Sequence, residues 1–154
     1  MIDLTWSPEQ EELIHTLRAF ARKELLPRYA HWDRTGEFPR EVWRRMGELG
    51  LLGLRTPAAY GGQEADLLTI GIAVEEIARG DANCTYGIFS AALAGEMIGR
   101  LGAEELRVRW LPPMTRGEAV IALALTEPGA GSAAQNLACR AVRDGEQYVR
   151  TGEQ

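Results

Sequence analysis

A short glycine-containing loop carries the residues of this sequence that are best suited to hold a ligand. Residues 126–132 read Thr-Glu-Pro-Gly-Ala-Gly-Ser, and they follow an apolar run at 119–125 that has the length of a buried strand. The two glycines allow close approach of the backbone, and exposed amides beside the Ser132 hydroxyl can cradle a phosphate. The Thr126 hydroxyl can bond the edge of a heterocycle. A sequence of this kind is more often a plain turn, which the residues alone leave as the alternative.

The familiar catalytic and metal-binding patterns do not occur elsewhere in the sequence. His15 and His31 are the only histidines, and neither has a cysteine or carboxylate pair at metal-ligand spacing. No pattern nominates a base for a serine nucleophile. Cys84 and Cys139 lie far apart along the chain, which predicts reduced thiols in a cytoplasmic protein. We therefore expect no metal ion in this chain.

Composition and charge narrow the class of protein. The chain has 154 residues, of which 45% are hydrophobic and 25% are charged, as in an ordinary globular protein. The net charge of −5 argues against nucleic-acid binding, which needs a basic surface. The longest apolar stretch, Cys84 to Ile98, contains Glu96 and two hydroxyl residues, so it is too short and too polar to span a bilayer.

Apolar residues at helical spacing predict five helices ahead of the loop. The expected ranges are Ser7 to Pro27, Pro39 to Gly50, about Asp66 to Gly80, Asp81 or Asn83 to about Leu101, and about Glu104 to Leu111. The apolar face expected of the third helix consists of Leu67, Ile70, Val74, Ile77 and Ala78. The fourth helix is apolar nearly all round, so it belongs in a core or beside an apolar ligand. The pair Pro112-Pro113 is expected to end the fifth helix.

The remainder of the chain changes to β character. The apolar run at 119–125 and the segments 138–143 and 147–151 are expected to be strands, with Asp144-Gly145 in the turn between the last two. So few strands do not close a stable sheet structure by themselves. The predicted fold class is therefore mainly α, an N-terminal helical bundle domain followed by the first strands of an incomplete β-barrel-like domain.

Five motifs follow one another in a single order along the chain. They are Phe20 to Pro27, Asp33 with Gly36, Phe38 and Pro39, Glu48 to Leu54 with Pro57 and Tyr60-Gly61-Gly62, Glu75 to Arg79, and Leu125 to Ser132. This order resembles that of the acyl-CoA dehydrogenase family of flavoproteins. The last motif is similar almost letter for letter to the family's flavin-binding signature, although Ala133 stands where that signature usually has aspartate.

The resemblance implies that residues 123–132, beginning at Leu123, contact FAD. In relatives, the positions of Leu125 and Thr126 bond the pyrimidine edge of the flavin through a backbone amide and a hydroxyl. Those of Gly131 and Ser132 lie against the diphosphate. The resemblance also places Ser132 beside the acyl thioester ligand.

The resemblance gives the fourth helix a role at the substrate. In relatives this helix lines the acyl-chain cavity, and the positions near Thr85 and Phe89 lie toward its closed end. The size of Phe89 then favours a short or branched acyl group. The alternative is that Phe89 belongs to the core, because a helix that is apolar all round packs its aromatic residues somewhere.

The resemblance implies three domains, of which this chain has two in part. Residues 1–116 are expected to form the all-α N-terminal domain and residues 117–154 the start of a truncated β-domain, with the C-terminal helical domain absent. In the family, a glutamate of that absent domain removes the α-proton of an acyl thioester while the β-hydrogen leaves as hydride to flavin N5. We therefore expect the intact protein to desaturate acyl thioesters. The isolated fragment lacks the catalytic base and is expected to be inactive.

The resemblance also implies partners. They are acyl-CoA or an acyl-carrier thioester in fatty acid metabolism, an electron-transfer flavoprotein, and either further copies of the chain, since relatives are mostly homotetramers, or a complementing C-terminal chain. Two alternatives stay open, because a fold does not determine a function. One is a non-catalytic partner or half-subunit of a hetero-oligomeric dehydrogenase. The other is a flavin monooxygenase built on the same fold.

Overall fold

The computed structural model describes residues 5–153, and the first four residues and residue 154 of the predicted domains lie outside that range. Within it, the chain is mainly helical and ends in a two-stranded antiparallel sheet, so the predicted fold class is confirmed. The helices and strands are α1 (Pro8–Phe20), α2 (Tyr29–Thr35), α3 (Arg40–Glu48), α4 (Leu67–Ala78), α5 (Asn83–Leu101), α6 (Glu104–Thr115), β1 (Arg140–Asp144) and β2 (Gln147–Thr151). Residues up to Ile121 form one compact unit, the helical unit, and residues from Ala122 form a second, the loop–hairpin unit.

The first helix begins where its sequence predicts. The Ser7 hydroxyl accepts a hydrogen bond from the Gln10 amide at 3.2 Å, and the Gln10 side chain accepts one from the Ser7 amide at 3.0 Å. This reciprocal pair is a capping box, which satisfies amide groups that a helix start leaves free. A short π-helical turn, Ala21–Leu25, continues α1 up to the predicted end near Pro27. Helix α2 then follows, in a stretch for which the sequence predicted no helix.

The core of the helical unit forms around α4 and α5. Helix α4 packs against α1 and α5, and α5 also contacts α6 and the short 3-10 turn Leu51–Gly53. The face predicted for α4 is only partly right, because Leu67 is 75% exposed. The fully buried positions include Ala73 and Ile77, and the buried set also contains the charged residue Glu76. Its burial is possible because a second helix supplies a cation for it.

The prediction that Pro112-Pro113 ends the last helix is wrong, because α6 continues through both prolines to Thr115. Each proline lacks the amide that would bond the carbonyl four residues earlier. Those carbonyls belong to two exposed residues of α6, so water can donate the missing hydrogen bonds. The final turn also buries Leu111 and Met114 in the core, and this burial offsets the lost hydrogen bonds.

The apolar run at 119–125 is not a strand, so that prediction is also wrong. A strand needs a neighbour that takes up its backbone hydrogen bonds. Among residues 5–153, the sheet contains β1 and β2 alone, so the run has no strand to pair with. The predicted hairpin is confirmed, with Asp144 paired to Gln147 and its turn one residue later than expected. Gly145, the first residue between the strands, has φ +60°, which glycine adopts without strain.

Candidate functional site

The glycine-containing loop is shaped by a tight turn between Glu127 and Ala130. The Glu127 amide donates to the Ala130 carbonyl at 3.1 Å, and the Ala130 amide donates to the Glu127 carbonyl at 3.0 Å. Pro128 and Gly129 occupy the two central positions, as is usual for a β-turn. These four residues therefore form a β-turn, and the groups that could meet a ligand are the ones around it.

The residues that the sequence assigned to a cofactor are open to solvent. Leu123 and Leu125 are 52% and 47% exposed, and Thr126, Gly131 and Ser132 are exposed as well. The hydroxyls of Thr126 and Ser132 have no hydrogen-bond partner among the residues that the structure describes. These two hydroxyls and the neighbouring backbone are thus available to a ligand.

The loop glycines are not required by the local backbone. Gly129 and Gly131 both lack the positive φ that would favour glycine, and a Cβ atom added to either would meet nothing within 4 Å. By contrast, Gly152 has φ +142° and its added Cβ would come within 2.9 Å of Cys139. The described part of the chain therefore gives no steric reason for the two loop glycines. A partner that approaches the backbone closely would give one.

Glu127 is the loop residue whose role the sequence did not indicate. Its side chain is buried, with 8% of the residue exposed, although both flanking residues are exposed. Its Oε2 accepts the Ala138 amide at 2.7 Å and its Oε1 accepts the Cys139 amide at 2.8 Å. The sequence gives no signal for this contact, because the two ends lie 11 and 12 positions apart in an irregular segment.

Thr85 and Phe89 lie one turn apart on α5 of the helical unit. The Thr85 hydroxyl donates to the Ala82 carbonyl at 2.6 Å, which leaves it free only to accept a further hydrogen bond. Phe89 is 60% exposed, so the core alternative for this residue is wrong within the described chain. Tyr86, to which the sequence assigned no role, is 73% exposed and lies three residues before Phe89. This helical spacing is the signal in the sequence that places the two rings on one side of the helix.

A cavity of about 360 Å³ lies elsewhere in the helical unit, between α2, α3 and the start of α5. Its walls include Trp32, Phe38 and Trp43, and the rings of Phe38 and Trp43 are 5.7 Å apart. Cys84 also lines it, and burial raises the pKa of that thiol to about 12, so the thiol stays protonated at neutral pH. None of the residues that the sequence assigned to a cofactor or substrate lines this cavity.

Residues 5–153 contain neither a metal-binding cluster nor a membrane-spanning helix. Within that range, no group of three or more histidine, cysteine, aspartate or glutamate side chains is placed to hold a metal ion. Across the same residues, no helix has both the length and the apolar character needed to cross a membrane.

Residues 7–118 match the family of acyl-CoA dehydrogenase N-terminal domains, which covers the helical unit almost completely. The matched region therefore has the class of the helical N-terminal domain of such enzymes. The chain belongs to the acyl-CoA dehydrogenase family, and the resemblance seen in its motifs is thereby confirmed.

Individual relatives extend the similarity beyond the helical unit. The probable acyl-CoA dehydrogenase YngJ of Bacillus subtilis is 37% identical over 147 residues, which is 94% of this chain and 38% of that protein. The 3-(aryl)acrylate reductase of Clostridium sporogenes is 40% identical over 148 residues, again 94% of this chain and 39% of that protein. A glutaryl-coenzyme A dehydrogenase solved with glutaryl-CoA superimposes with a TM-score of 0.91 at 32% identity, covering 98% of this chain and 39% of that one. The chain thus spans little more than a third of the relatives that it matches.

Proposed function

We propose that this chain supplies one edge of a flavin site and one wall of an acyl pocket in an FAD-dependent acyl-thioester dehydrogenase. The observation that carries the proposal is the open loop at 126–132. It combines unpartnered hydroxyls with two glycines that have no steric reason of their own, in a chain that belongs to the acyl-CoA dehydrogenase family. A buried loop with its hydroxyls already bonded would not have supported this function.

The flavin contacts are assigned to the backbone and hydroxyl groups of that segment. The Leu125 amide and the Thr126 hydroxyl bond the pyrimidine edge of the ring, with Leu123 near it. Gly131 and Ser132 lie against the diphosphate, where the absence of a Cβ at Gly131 permits close approach. Ala133 gives no carboxylate there, so the diphosphate meets only neutral donors from this stretch.

The acyl group is assigned to the exposed face of α5. Thr85 and Phe89 lie on successive turns of that face. Within the loop–hairpin unit, Ser132 is assigned to the thioester group by the family resemblance. Because Phe89 is large and exposed, it limits the depth of the pocket and favours a short or branched acyl group. Tyr86 on the same side of the helix adds a second aromatic wall.

The chemistry divides between this chain and residues outside it. When bound, FAD supplies the acceptor for the hydride that leaves the β-carbon. Hydrogen bonds to the thioester carbonyl acidify the α-proton, which a carboxylate removes. Glu127 is unsuited to be that base, because both its oxygens accept backbone amides. We place the base outside residues 1–154 and expect this stretch alone to be inactive.

The wider assignments follow from the same proposal. Residues 1–116 act as the helical domain and residues 117–154 as the first part of a β-domain. A C-terminal helical domain completes the enzyme, from the same polypeptide or from a complementing chain. We expect a homo-oligomer, a homotetramer as the family resemblance implies, that acts in fatty acid metabolism in the cytoplasm. The expected substrate is an acyl-CoA or acyl-carrier thioester, and the expected electron acceptor is an electron-transfer flavoprotein.

The experiment uses the complete enzyme, either as one polypeptide or as this chain with its complementing chain. Stoichiometric FAD after desalting, and bleaching of its visible absorbance by an acyl-CoA, are the expected results. Thr126→Val removes one hydroxyl and is expected to weaken FAD binding about 2- to 10-fold. The matched control is Thr151→Val, which removes an exposed hydroxyl from β2 and should leave FAD binding unchanged.

The outcomes also separate the alternative functions. Flavin that is reduced only by a nicotinamide cofactor, with oxygen then consumed, would indicate the monooxygenase. A protein that holds no FAD would indicate the non-catalytic partner. Phe89→Ala should move the preference to longer acyl-CoA substrates, whereas Leu101→Ala, at the exposed far end of α5, should not. An unchanged preference in Phe89→Ala would contradict the assigned pocket.

A further inference from the structure

Glu127 is a buried carboxylate in a loop whose residues mostly face solvent. Thr126 before it and Pro128 after it are both exposed, while Glu127 is 8% exposed. A buried carboxylate normally needs a cation or several hydrogen-bond donors, because burial removes the water that stabilises its charge. Among the described residues, none of the ion pairs includes Glu127, so its charge is balanced by amide groups.

The carboxylate joins the two ends of the loop. Its two oxygens accept the amides of Ala138 and Cys139 at 2.7 and 2.8 Å, directly before β1 begins at Arg140. The Glu127 side chain thereby bridges the two ends of the segment 128–137. Gly131 and Ser132 lie within this bridged segment, and Thr126 directly precedes Glu127.

The backbone of the same residue holds the turn. The amide and the carbonyl of Glu127 both bond to Ala130, at 3.1 and 3.0 Å. Glu127 therefore determines the local conformation through its main chain and the closure of the loop through its side chain. Because ionised acceptors form stronger hydrogen bonds than neutral ones, the closure depends on the negative charge.

We propose that Glu127 is a positioning residue that holds the loop at 126–132 in the conformation that receives the flavin and its diphosphate. This inference rests on the proposed function. We assign Glu127 no direct contact with the ring or the diphosphate, because both its oxygens are directed at backbone amides. Glu127 affects cofactor binding indirectly, because it determines the positions of the Thr126 and Ser132 hydroxyls.

The test compares Glu127→Gln and Glu127→Ala in the complete enzyme. Glutamine retains one acceptor but turns its NH₂ group toward an amide donor, and alanine removes both acceptors. We expect the dissociation constant for FAD, titrated into the apoprotein, to rise about tenfold or more in the glutamine variant and further in the alanine variant. Amide hydrogen exchange at residues 138 and 139 should accelerate in the same order.

A matched control separates positioning from charge and from general stability. Glu146→Gln removes the same charge from an exposed residue of the hairpin turn and should leave FAD affinity and exchange unchanged. The visible spectrum of the flavin that remains bound should shift in Glu127→Gln, because the polar groups around the ring have moved. A merely structural role would lower the amount of folded protein without altering that spectrum.

Three outcomes would contradict the positioning role of Glu127. If the unmodified protein binds no FAD, the proposed function fails and this inference fails with it. If the unmodified protein binds FAD and Glu127→Gln binds it equally well, the proposed function stands and the positioning role is overturned. Weaker binding with an unchanged spectrum, in proportion to a general loss of folded protein, also overturns it.

Discussion

Removal of Arg18 should destabilise the helical unit, because the buried carboxylate of Glu76 loses its two-point partner. Arg18 of α1 donates from Nε and Nη2 to the two oxygens of Glu76 on α4, at 2.8 and 2.7 Å. The Glu76 side chain is only 4% exposed. A two-point contact of this geometry connects two helices that pack against each other, so its loss acts on tertiary structure rather than on one helix.

The magnitude follows from the burial of the two partners. Breaking a buried ion pair by removing one partner costs about 3–5 kcal/mol. Two features lower that value here: the Arg18 side chain is 38% exposed, and Arg79 also reaches Glu76, at 3.2 Å. We therefore expect Arg18→Ala to lower the free energy of unfolding by about 2–3 kcal/mol at pH 7. The matched control is Arg45→Ala, which breaks an exposed pair with Glu48 and should cost less than about 0.5 kcal/mol.

The effect of Arg18→Ala should depend on pH in a defined direction. Hydrogen bonds from Arg18, and then its charge, hold the pKa of Glu76 below its ordinary value of 4.5. The pair therefore stabilises the folded state above pH 4.5, and its contribution is lost as the pH falls through the lowered pKa. The difference in unfolding free energy between wild type and Arg18→Ala should shrink in that acidic range.

Urea unfolding, followed by the helical circular dichroism signal at several pH values, measures this difference. The double variant Arg18→Ala with Glu76→Gln tests the cause, because it removes the buried charge that has lost its main partner and should recover part of the lost stability. A cost below about 1 kcal/mol at pH 7, far under that expected for a buried pair, would refute the reasoning. So would a cost that stays constant into the acidic range.

Two further predictions concern packing in the helical unit. Thr56→Val should raise the free energy of unfolding by up to about 1 kcal/mol, because the Thr56 hydroxyl is fully buried without a partner among the described residues. A lower melting temperature for this variant would contradict that reasoning. Gly87→Ala should lower the free energy of unfolding by about 1–2 kcal/mol, since the new Cβ would lie 2.4 Å from Cζ3 of Trp43. Gly71→Ala is the matched control: its Cβ would meet nothing within 4 Å, so it should be neutral or stabilising. Equal melting temperatures for these two alanine variants would contradict the close contact.

Local sequence determined most of the helix boundaries. The Ser7 and Gln10 pair predicted the start of α1, and Asp66 and Gly50 mark the start of α4 and the end of α3. These signals operate within a few residues, through caps and a left-handed glycine, so they are visible in the sequence. The hairpin is visible for the same reason, because a turn residue and alternating strands lie next to one another.

Tertiary structure decided the features that depend on distant partners. The run at 119–125 has the composition of a strand but no neighbour to pair with among residues 5–153. The prolines of α6 are tolerated because the last turn packs into the core.

The cofactor segment shows the same division. Its sequence indicated which groups could meet a flavin, since glycines and hydroxyls act at their own positions. The sequence did not indicate that Glu76 pairs with Arg18, or that Glu127 closes the loop onto Ala138, because each contact joins residues far apart along the chain. A charge can be buried only where folding brings donors to it, and that is why the three-dimensional packing, rather than the local pattern, decided the roles of these two glutamates.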